Sequence, residues 1–223
     1  MNPTEQHWAH LQRHCVGVMI ALAAVAGIPL HAADLPQFEG RVVLEVLDDI
    51  ALDHKLRLLE DFSFRDEQGR VWLAPAGAVI DGTSLPRALR STAELPPENQ
   101  FRKSSVLHDY HSRARQESWR EVRRMLYSAS LYEGLAPVEA KLVYAAVYAG
   151  GWRWEPRTSS CYRSCHAAAP ILVWQPDLNQ AEFQPVVEWV RGKDPSLQEI
   201  EQRVDAITPR PGPHLFTQVR QAR

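Results

Sequence analysis

Residues 118–151 read SWREVRRMLYSASLYEGLAPVEAKLVYAAVYAGG, and this stretch decides the fold. Ser118 followed by Glu121 has the spacing of a capping box, which predicts the start of a helix. Apolar residues then recur at helical spacing until Gly134, a residue type common at helix ends. Pro137 suits the first turn of a second helix, which should run to the glycine pair at the end of the stretch. The stretch therefore predicts a hairpin of two helices.

The sequence before this hairpin has the composition of β-strands. Residues 41–47 are rich in β-branched side chains, and residues 62–65 and 70–74 flank a turn that ends at Gly69. A further short strand is expected at residues 78–80. These segments predict a small antiparallel meander.

Residues 101–112 contain no glycine or proline and are expected to form another helix. Val106 and Leu107 would then point toward the core, with His108 and Asp109 at one end of the helix. The predicted fold class is α+β, in which a small antiparallel meander packs against the helical hairpin and further helices.

The sequence after the hairpin is rich in proline, and we expect an irregular extension over residues 155–208. One helix is expected within it, with Asp194 as its N-cap. Residues 209–223 are predicted to be a mobile tail. The mature chain would thus be a single α+β domain over residues 33–208.

Composition and charge exclude several classes of protein. Of 223 residues, 45% are hydrophobic and 23% are charged, which is not the composition of a disordered chain or a fibrous repeat. Lys and Arg total 25 against 27 Asp and Glu, so the formal net charge is −2. Because there is no basic excess to neutralise phosphates, nucleic acid is not expected as a partner.

The N-terminus has the sequence pattern of a targeting signal. Residues 15–30 are uncharged and apolar, follow Arg13, and precede the small residues Ala32 and Ala33. This pattern predicts a signal peptide over residues 1–32, and hence a protein that is periplasmic or secreted. The alternative is an uncleaved membrane anchor, but the run is shorter than the ~20 apolar residues that span a bilayer. No integral membrane segment is expected after cleavage.

Two cysteines, Cys161 and Cys165, would remain in the exported chain. An even pair in an oxidising compartment predicts a disulfide, and so short a loop would contribute only about 2 kcal/mol. The alternative is haem attachment, with His166 as the following histidine. It is disfavoured because three residues separate the cysteines instead of the usual two.

Four polar residues are candidates for catalysis. Asp81 and Ser84 follow the predicted strand at residues 78–80, while His108 and Asp109 lie in an apolar helical context. In a shared cleft, His108 would act as general base on Ser84 or on water, and Asp81 would orient the imidazole. Asp109 would do the same or bind a cation. We therefore predict that Asp81 and His108 share one site.

A purely structural interpretation of the same residues stays open. Asp81 and Ser84 are residue types that bond the backbone of their own turn, and His108 would then be a core histidine. Asp109 would form an ion pair with a nearby arginine. The candidates for that pair are Arg102, Arg113 and Arg120.

A metal site is a weaker possibility. On a helix, His108 and His111 lie on one face at positions i and i+3, so with Asp81 or Asp109 they could hold Zn²⁺. This spacing is less typical than the i, i+4 histidine pair of metalloproteases. No other cofactor is expected.

Several of these residues recur in a recognisable order. They are Pro75, Gly77, Asp81, Gly82, Ser84 and Pro86, then His108 and Asp109, then Tyr144, Ala146 and Val147. In this order the sequence resembles a bacterial and phage family, the domain of unknown function 1353, over about residues 62–154. The resemblance implies no particular reaction.

The sequence also departs from the family pattern at several positions. Ala78 and Ile80 replace a Phe and a Thr of the pattern, and His111 and Ser112 replace its Leu-Tyr. Arg123 stands where the family has a helical Asp. If that acid belongs to a site, this chain has lost or relocated it.

Two functions of different classes follow from the sequence. The first is an exported hydrolase that uses the four candidate residues on a cell-envelope polymer such as peptidoglycan. The second is a noncatalytic envelope module that binds a glycan or a protein through exposed tryptophans. Those tryptophans are Trp72, Trp152, Trp154 and Trp174, although residues of this type are more often part of a core.

Overall fold

Strands dominate the first part of the chain and helices follow them, which confirms the predicted α+β class. The structure, a computed structural model, describes residues 35–47, 55–82, 85–86, 89–90, 92, 95–156, 171–208 and 217–219. The strands in these residues are β1 (Gln37–Gly40), β2 (Leu44–Val46), β3 (Leu56–Leu58), β4 (Phe62–Arg65), β5 (Val71–Ala74), β6 (Val79–Ile80), β7 (Arg153–Pro156), β8 (Ile171–Trp174) and β9 (Thr217–Val219). The helices are α1 (Arg102–Ala114), α2 (Trp119–Glu133), α3 (Pro137–Gly150), α4 (Gln180–Lys193) and α5 (Leu197–Ile207).

The described strands form three small antiparallel sheets, with strand orders β1-β4-β5, β2-β3-β6 and β7-β8-β9. The predicted hairpin is β4–β5, in which Phe64 faces Trp72 and both side chains are buried. The strand predicted at residues 41–47 is shorter than expected and pairs with β3, which the sequence pattern did not indicate. A three-residue strand is too short to show the alternation on which such predictions rest.

The helical hairpin forms as predicted. Ser118 and Glu121 make the capping box of α2, and Gly134 ends that helix in the left-handed conformation. Helix α3 is buried around most of its circumference from Leu142 to Gly150, as expected for a helix that is apolar on all sides. None of the helices in the described part of the chain has the length and apolarity needed to cross a bilayer.

Helix α1 packs between the first two sheets and α2. Val106 and Leu107 are buried in the core, as predicted. His108 and Asp109, however, lie in the middle of α1, so their expected position at one end of the helix was wrong. No glycine or proline interrupts residues 102–114. The helix ends at Arg115, which takes the left-handed conformation with a φ of 51°.

The expectation of an irregular extension over residues 155–208 was largely wrong. Two strands and two helices occur in its described part, and α4 begins at a capping box formed by Asn179 and Glu182. Pro185 lies inside α4, where a proline is normally unfavourable. Asp194 is the C-cap of α4, and Ser196 is the N-cap of α5. Asp194 itself therefore does not begin the last helix.

Helix α5 is attached to the helical hairpin by two similar polar groups, one turn apart. In the first, the Glu201 carboxylate accepts a 2.6 Å hydrogen bond from the Tyr144 hydroxyl of α3. The guanidinium of Arg124, on α2, donates to the same carboxylate at 2.7–2.9 Å through two nitrogens. Glu201 is therefore well paired despite its burial.

The second group repeats this pattern one turn later in α3 and α5 and one turn earlier in α2. Asp205 accepts a 3.0 Å hydrogen bond from the Tyr148 hydroxyl and lies 3.5 Å from both Arg120 and Arg153. We call the two groups together the α2–α3–α5 ladder. Its members are Arg120, Arg124, Tyr144, Tyr148, Arg153, Glu201 and Asp205.

A further arginine, Arg123, is fully buried beside the ladder. Its guanidinium donates to the backbone carbonyls of Tyr148 at 3.2 Å and Trp152 at 2.7 Å, just where α3 ends. A Cβ at Gly151 would lie 2.7 Å from this guanidinium, so the position requires glycine. Arg123 therefore satisfies carbonyls that the end of a helix leaves without intrahelical partners.

Candidate functional site

The turn after β6 meets the middle of α1, and two of the predicted residues come together there. The carboxylate oxygen Oδ2 of Asp109 accepts hydrogen bonds from the backbone N–H of Asp81 and from that of Gly82 at 3.1 Å. Gly82 has a φ of +74°, and a Cβ there would lie 2.7 Å from the Leu56 side chain. Glycine thus allows the tight turn that brings Asp81 against α1.

Two cations complete this group, which we call the β6–α1 corner: Lys55, Asp81, Gly82, Asp109 and Arg113. The guanidinium of Arg113 binds Asp81 Oδ1, and its Nε lies 3.7 Å from Asp109 Oδ1. Lys55 Nζ lies 3.6 Å from Asp81 Oδ1. Arg113 was one of the three partners expected for Asp109, at the favourable i, i+4 spacing. Lys55 was not foreseen, since it reaches the corner from a distant part of the chain.

The two carboxyl groups of the corner have different surroundings. The side chain of Asp81 is 46% exposed, whereas that of Asp109 is only 9% exposed. Burial, followed by the negative charge of Asp81, raises the pKa of Asp109 to about 6. The two backbone N–H groups and Arg113 oppose this rise without cancelling it. Asp109 can therefore hold or release a proton near neutral pH.

His108 lies beside Asp109 on α1, and its Nε2 lies 3.4 Å from Ser112 Oγ. The side chain of Asp81 contacts Arg113 and Lys55, and a site shared by Asp81 and His108 stays a prediction. Burial, then the charge of Arg123, lowers the pKa of His108 to about 3. So low a pKa makes the imidazole a weak base, which does not favour the general-base role expected for it.

His111 packs in the core instead of facing the corner. Its ring meets Trp72 edge-on at 5.1 Å between centroids, and its Nδ1 lies 3.3 Å from Glu117 Oε2. Across the described ranges, no three His, Cys, Asp or Glu side chains are grouped so that they could hold a metal ion. The described residues thus do not assemble the zinc set that combined His108 and His111 with an aspartate.

Some of the predictions concern residues outside the part of the chain that the structure describes. Ser84, Cys161 and Cys165 lie outside the described residues, as does the predicted signal peptide over residues 1–32. The nucleophile role of Ser84, the disulfide and the cleavage therefore remain predictions.

A small cavity of about 150 Å³ adjoins the corner, since Gly82 forms part of its wall. The rest of the wall is mainly apolar, with one polar and one cationic side chain. The lining residues are Leu44, Leu56, Gly82, Arg102, Ser105 and Val106. The cavity offers space beside Asp81 for a small part of a ligand.

The tryptophans proposed as anchors for a partner are mostly part of the core. Trp72, Trp154 and Trp174 are each 6% exposed or less, and Trp154 donates a 2.8 Å hydrogen bond to the Glu117 carbonyl. Trp152 is 52% exposed. A surface built from all four side chains is therefore not present.

The protein thus has an α+β fold in which the turn after a short strand meets a largely buried helix at the β6–α1 corner. Residues 56–147 match the family described as Protein of unknown function (DUF1353), which confirms the resemblance expected from the motifs. The matched region runs from β3 to α3. It includes the β6–α1 corner except for Lys55, which immediately precedes the match. Helices α4 and α5 lie beyond it.

Two curated relatives match about half of the chain, both from Sinorhizobium fredii (strain NBRC 101917 / NGR234). Uncharacterized protein y4iH is 35% identical over 109 residues, which is 48% of this chain and 46% of the relative. Uncharacterized protein y4jT is 34% identical over 101 residues, 45% of this chain and 30% of the relative. The aligned region thus spans less than half the length of each relative. No solved structure matches this chain.

Proposed function

We propose that this protein is a hydrolase whose acid–base pair is Asp109 and Asp81. The observation that carries the proposal is that the buried carboxyl group of Asp109 accepts a hydrogen bond from the backbone N–H of Asp81, whose own carboxyl group is solvent-accessible. Two titratable groups in such different environments can take opposite roles in proton transfer. The raised pKa of Asp109 supports the role of proton donor for that residue.

Hydrolysis at the corner would need two proton transfers. Asp81 would accept a proton from water as the water oxygen attacks the scissile bond. Among the described residues, both cations that pair with Asp81 contact its Oδ1, so Oδ2 is the oxygen available to that water. Asp109 would give its proton to the leaving oxygen or nitrogen, and exchange with solvent would restore both groups. Arg113 would hold the two carboxyl groups in place.

The proposed substrate is a cell-envelope polymer such as peptidoglycan. Support comes from the apolar segment at residues 15–30, which predicts export to the periplasm or the medium. The cavity of about 150 Å³ at the corner is small, so it would accept only a side group of such a polymer. The competing proposal, a noncatalytic envelope module, has less support because three of its four tryptophans are buried.

The test uses the full chain with purified peptidoglycan sacculi, and measures soluble fragments released over time. Wild type is expected to release fragments, and Asp109→Asn is expected to lower the rate by about 100-fold or more. Asparagine can still accept the two backbone N–H groups, so the melting temperature should change by only a few degrees. Glu45→Gln, which removes an exposed, ion-paired carboxylate on β2, is the matched control and should keep the wild-type rate.

Three outcomes would overturn the proposal. The first is an unchanged rate in Asp109→Asn. The second is binding to sacculi without release of fragments, which would favour the noncatalytic module. The third is neither binding nor release.

A further inference from the structure

A larger cavity, of about 460 Å³, lies between the β4–β5 hairpin and one face of α2. Leu197, at the start of α5, closes one part of it. None of the residues of the β6–α1 corner lines this cavity, so it is independent of the proposed catalytic pair. Its volume lies within the range of small-molecule binding sites.

Arg70 and Asp66, two charged side chains in the wall of this cavity, already have partners within the protein. Arg70 lies 3.3 Å from both Glu117 and Glu121, and its guanidinium covers the Trp72 ring at 4.0 Å. Asp66 accepts a 2.8 Å hydrogen bond from Trp72 Nε1 and two further bonds from backbone N–H groups. A charged ligand would have to compete with these pairs.

Arg124, the other cation of the cavity wall, is also engaged. It belongs to the α2–α3–α5 ladder and binds the Glu201 carboxylate through two nitrogens. No cation of the wall is thus left to attract an anion such as phosphate.

The groups that remain for a ligand are the Tyr127 hydroxyl, the Gln68 amide and the exposed carboxylate of Glu67. The Oγ of Ser128 has no hydrogen-bond partner among the described residues, but it is buried away from the surface of the cavity. Within the same described part of the chain, no hydrogen bond engages the Tyr127 hydroxyl or the carboxylate of Glu67. Between these groups the wall is apolar, formed by Met125 and Leu131.

We propose that this cavity binds a neutral saccharide. A sugar supplies hydroxyl donors for Glu67, and both donors and acceptors for Tyr127 and Gln68. Its apolar C–H faces would pack on Met125 and Leu131. It carries no charge that would disturb the ion pairs of Arg70 and Arg124.

The test titrates the full chain with two soluble neutral trisaccharides, N,N′,N″-triacetylchitotriose and cellotriose, and follows binding by calorimetry. At least one should bind saturably. Tyr127→Phe removes one hydroxyl group from the cavity and should weaken binding by about fivefold. Tyr132→Phe removes a hydroxyl from the same helix outside the cavity and should leave the affinity unchanged. Inorganic phosphate should not bind.

Three outcomes would overturn the saccharide site. They are the absence of saturable binding by either trisaccharide, equal weakening by Tyr132→Phe and Tyr127→Phe, and saturable binding of phosphate at the cavity. Asp109→Asn should leave the affinity unchanged. The two proposals can therefore fail independently. Loss of the hydrolase proposal would leave the saccharide site standing, and absence of saccharide binding would leave the hydrolase proposal standing.

Discussion

Glu201 in the α2–α3–α5 ladder and Asp109 in the β6–α1 corner are carboxyl groups with nearly the same burial and very different partners. Their side chains are 12% and 9% exposed. Glu201 receives a tyrosine hydroxyl and a bidentate guanidinium, all within 2.9 Å. Asp109 has its nearest cation at 3.7 Å and a second carboxyl group beside it. Burial with incomplete charge compensation thus raises the pKa of Asp109.

The α2–α3–α5 ladder and the buried Arg123 beside it are predicted to stabilise the fold. Replacing Arg123 has the largest expected effect on the free energy of unfolding. Arg123→Met should lower the free energy of unfolding by about 4 kcal/mol, because the Trp152 carbonyl loses its donor inside the protein and the contact with the Trp119 ring is lost. The Tyr148 carbonyl would keep Arg153 as a donor. Urea unfolding measures the loss. The control Arg124→Met removes a half-exposed arginine and should cost about 1 kcal/mol. Equal costs for the two variants would contradict the distinction between them.

His108 is expected to make stability depend on pH. Its pKa is lowered in the folded protein to about 3, so folding keeps the imidazole neutral where the unfolded chain would protonate it. The stabilising contribution is complete above pH 6.5 and is lost as pH falls toward 3. Between pH 7 and pH 4 the free energy of unfolding should fall by roughly 3 kcal/mol more in wild type than in His108→Gln. Chemical unfolding at both pH values measures this difference, and parallel losses would disprove it.

The ladder should show a smaller, direct coupling between its members. A double-mutant cycle of Tyr144→Phe with Glu201→Gln should give an interaction free energy of about 1 kcal/mol. The matched cycle replaces Tyr144→Phe with Tyr132→Phe, whose hydroxyl lies on an exposed side chain, and should give no coupling. Equal coupling in both cycles would show that the hydrogen bond between Tyr144 and Glu201 is not the source of the interaction free energy.

Much of the fold could be predicted from local sequence signals. The capping box at Ser118 and the apolar repeat of α2 and α3 are short-range features, so they were visible in the sequence. Strand β3 and helix α4 were not, because a three-residue strand shows little alternation and Pro185 suggested a break. Tertiary packing decides such segments more than local preference does.

The candidate site was predicted only in part. Asp81 and Asp109 do meet, and the i, i+4 spacing of Asp109 and Arg113 was readable in the sequence. Two features could not be predicted from the sequence: the approach of Lys55 to Asp81, and the effect of the Arg123 charge on His108. Both depend on how separate elements pack, which a single sequence does not reveal.

The central claim is that Asp109 is a buried acid with a raised pKa that Asp81 helps to maintain. It can be measured by ¹³C NMR titration of the aspartate carboxyl carbons, with the Asp109 signal identified by its absence in Asp109→Asn. The account predicts a midpoint near the value of about 6 for wild type. In Asp81→Asn the midpoint should move down, because a neighbouring negative charge has been removed. A wild-type midpoint near the ordinary aspartate value of 3.8, or one that Asp81→Asn leaves unchanged, would contradict the account.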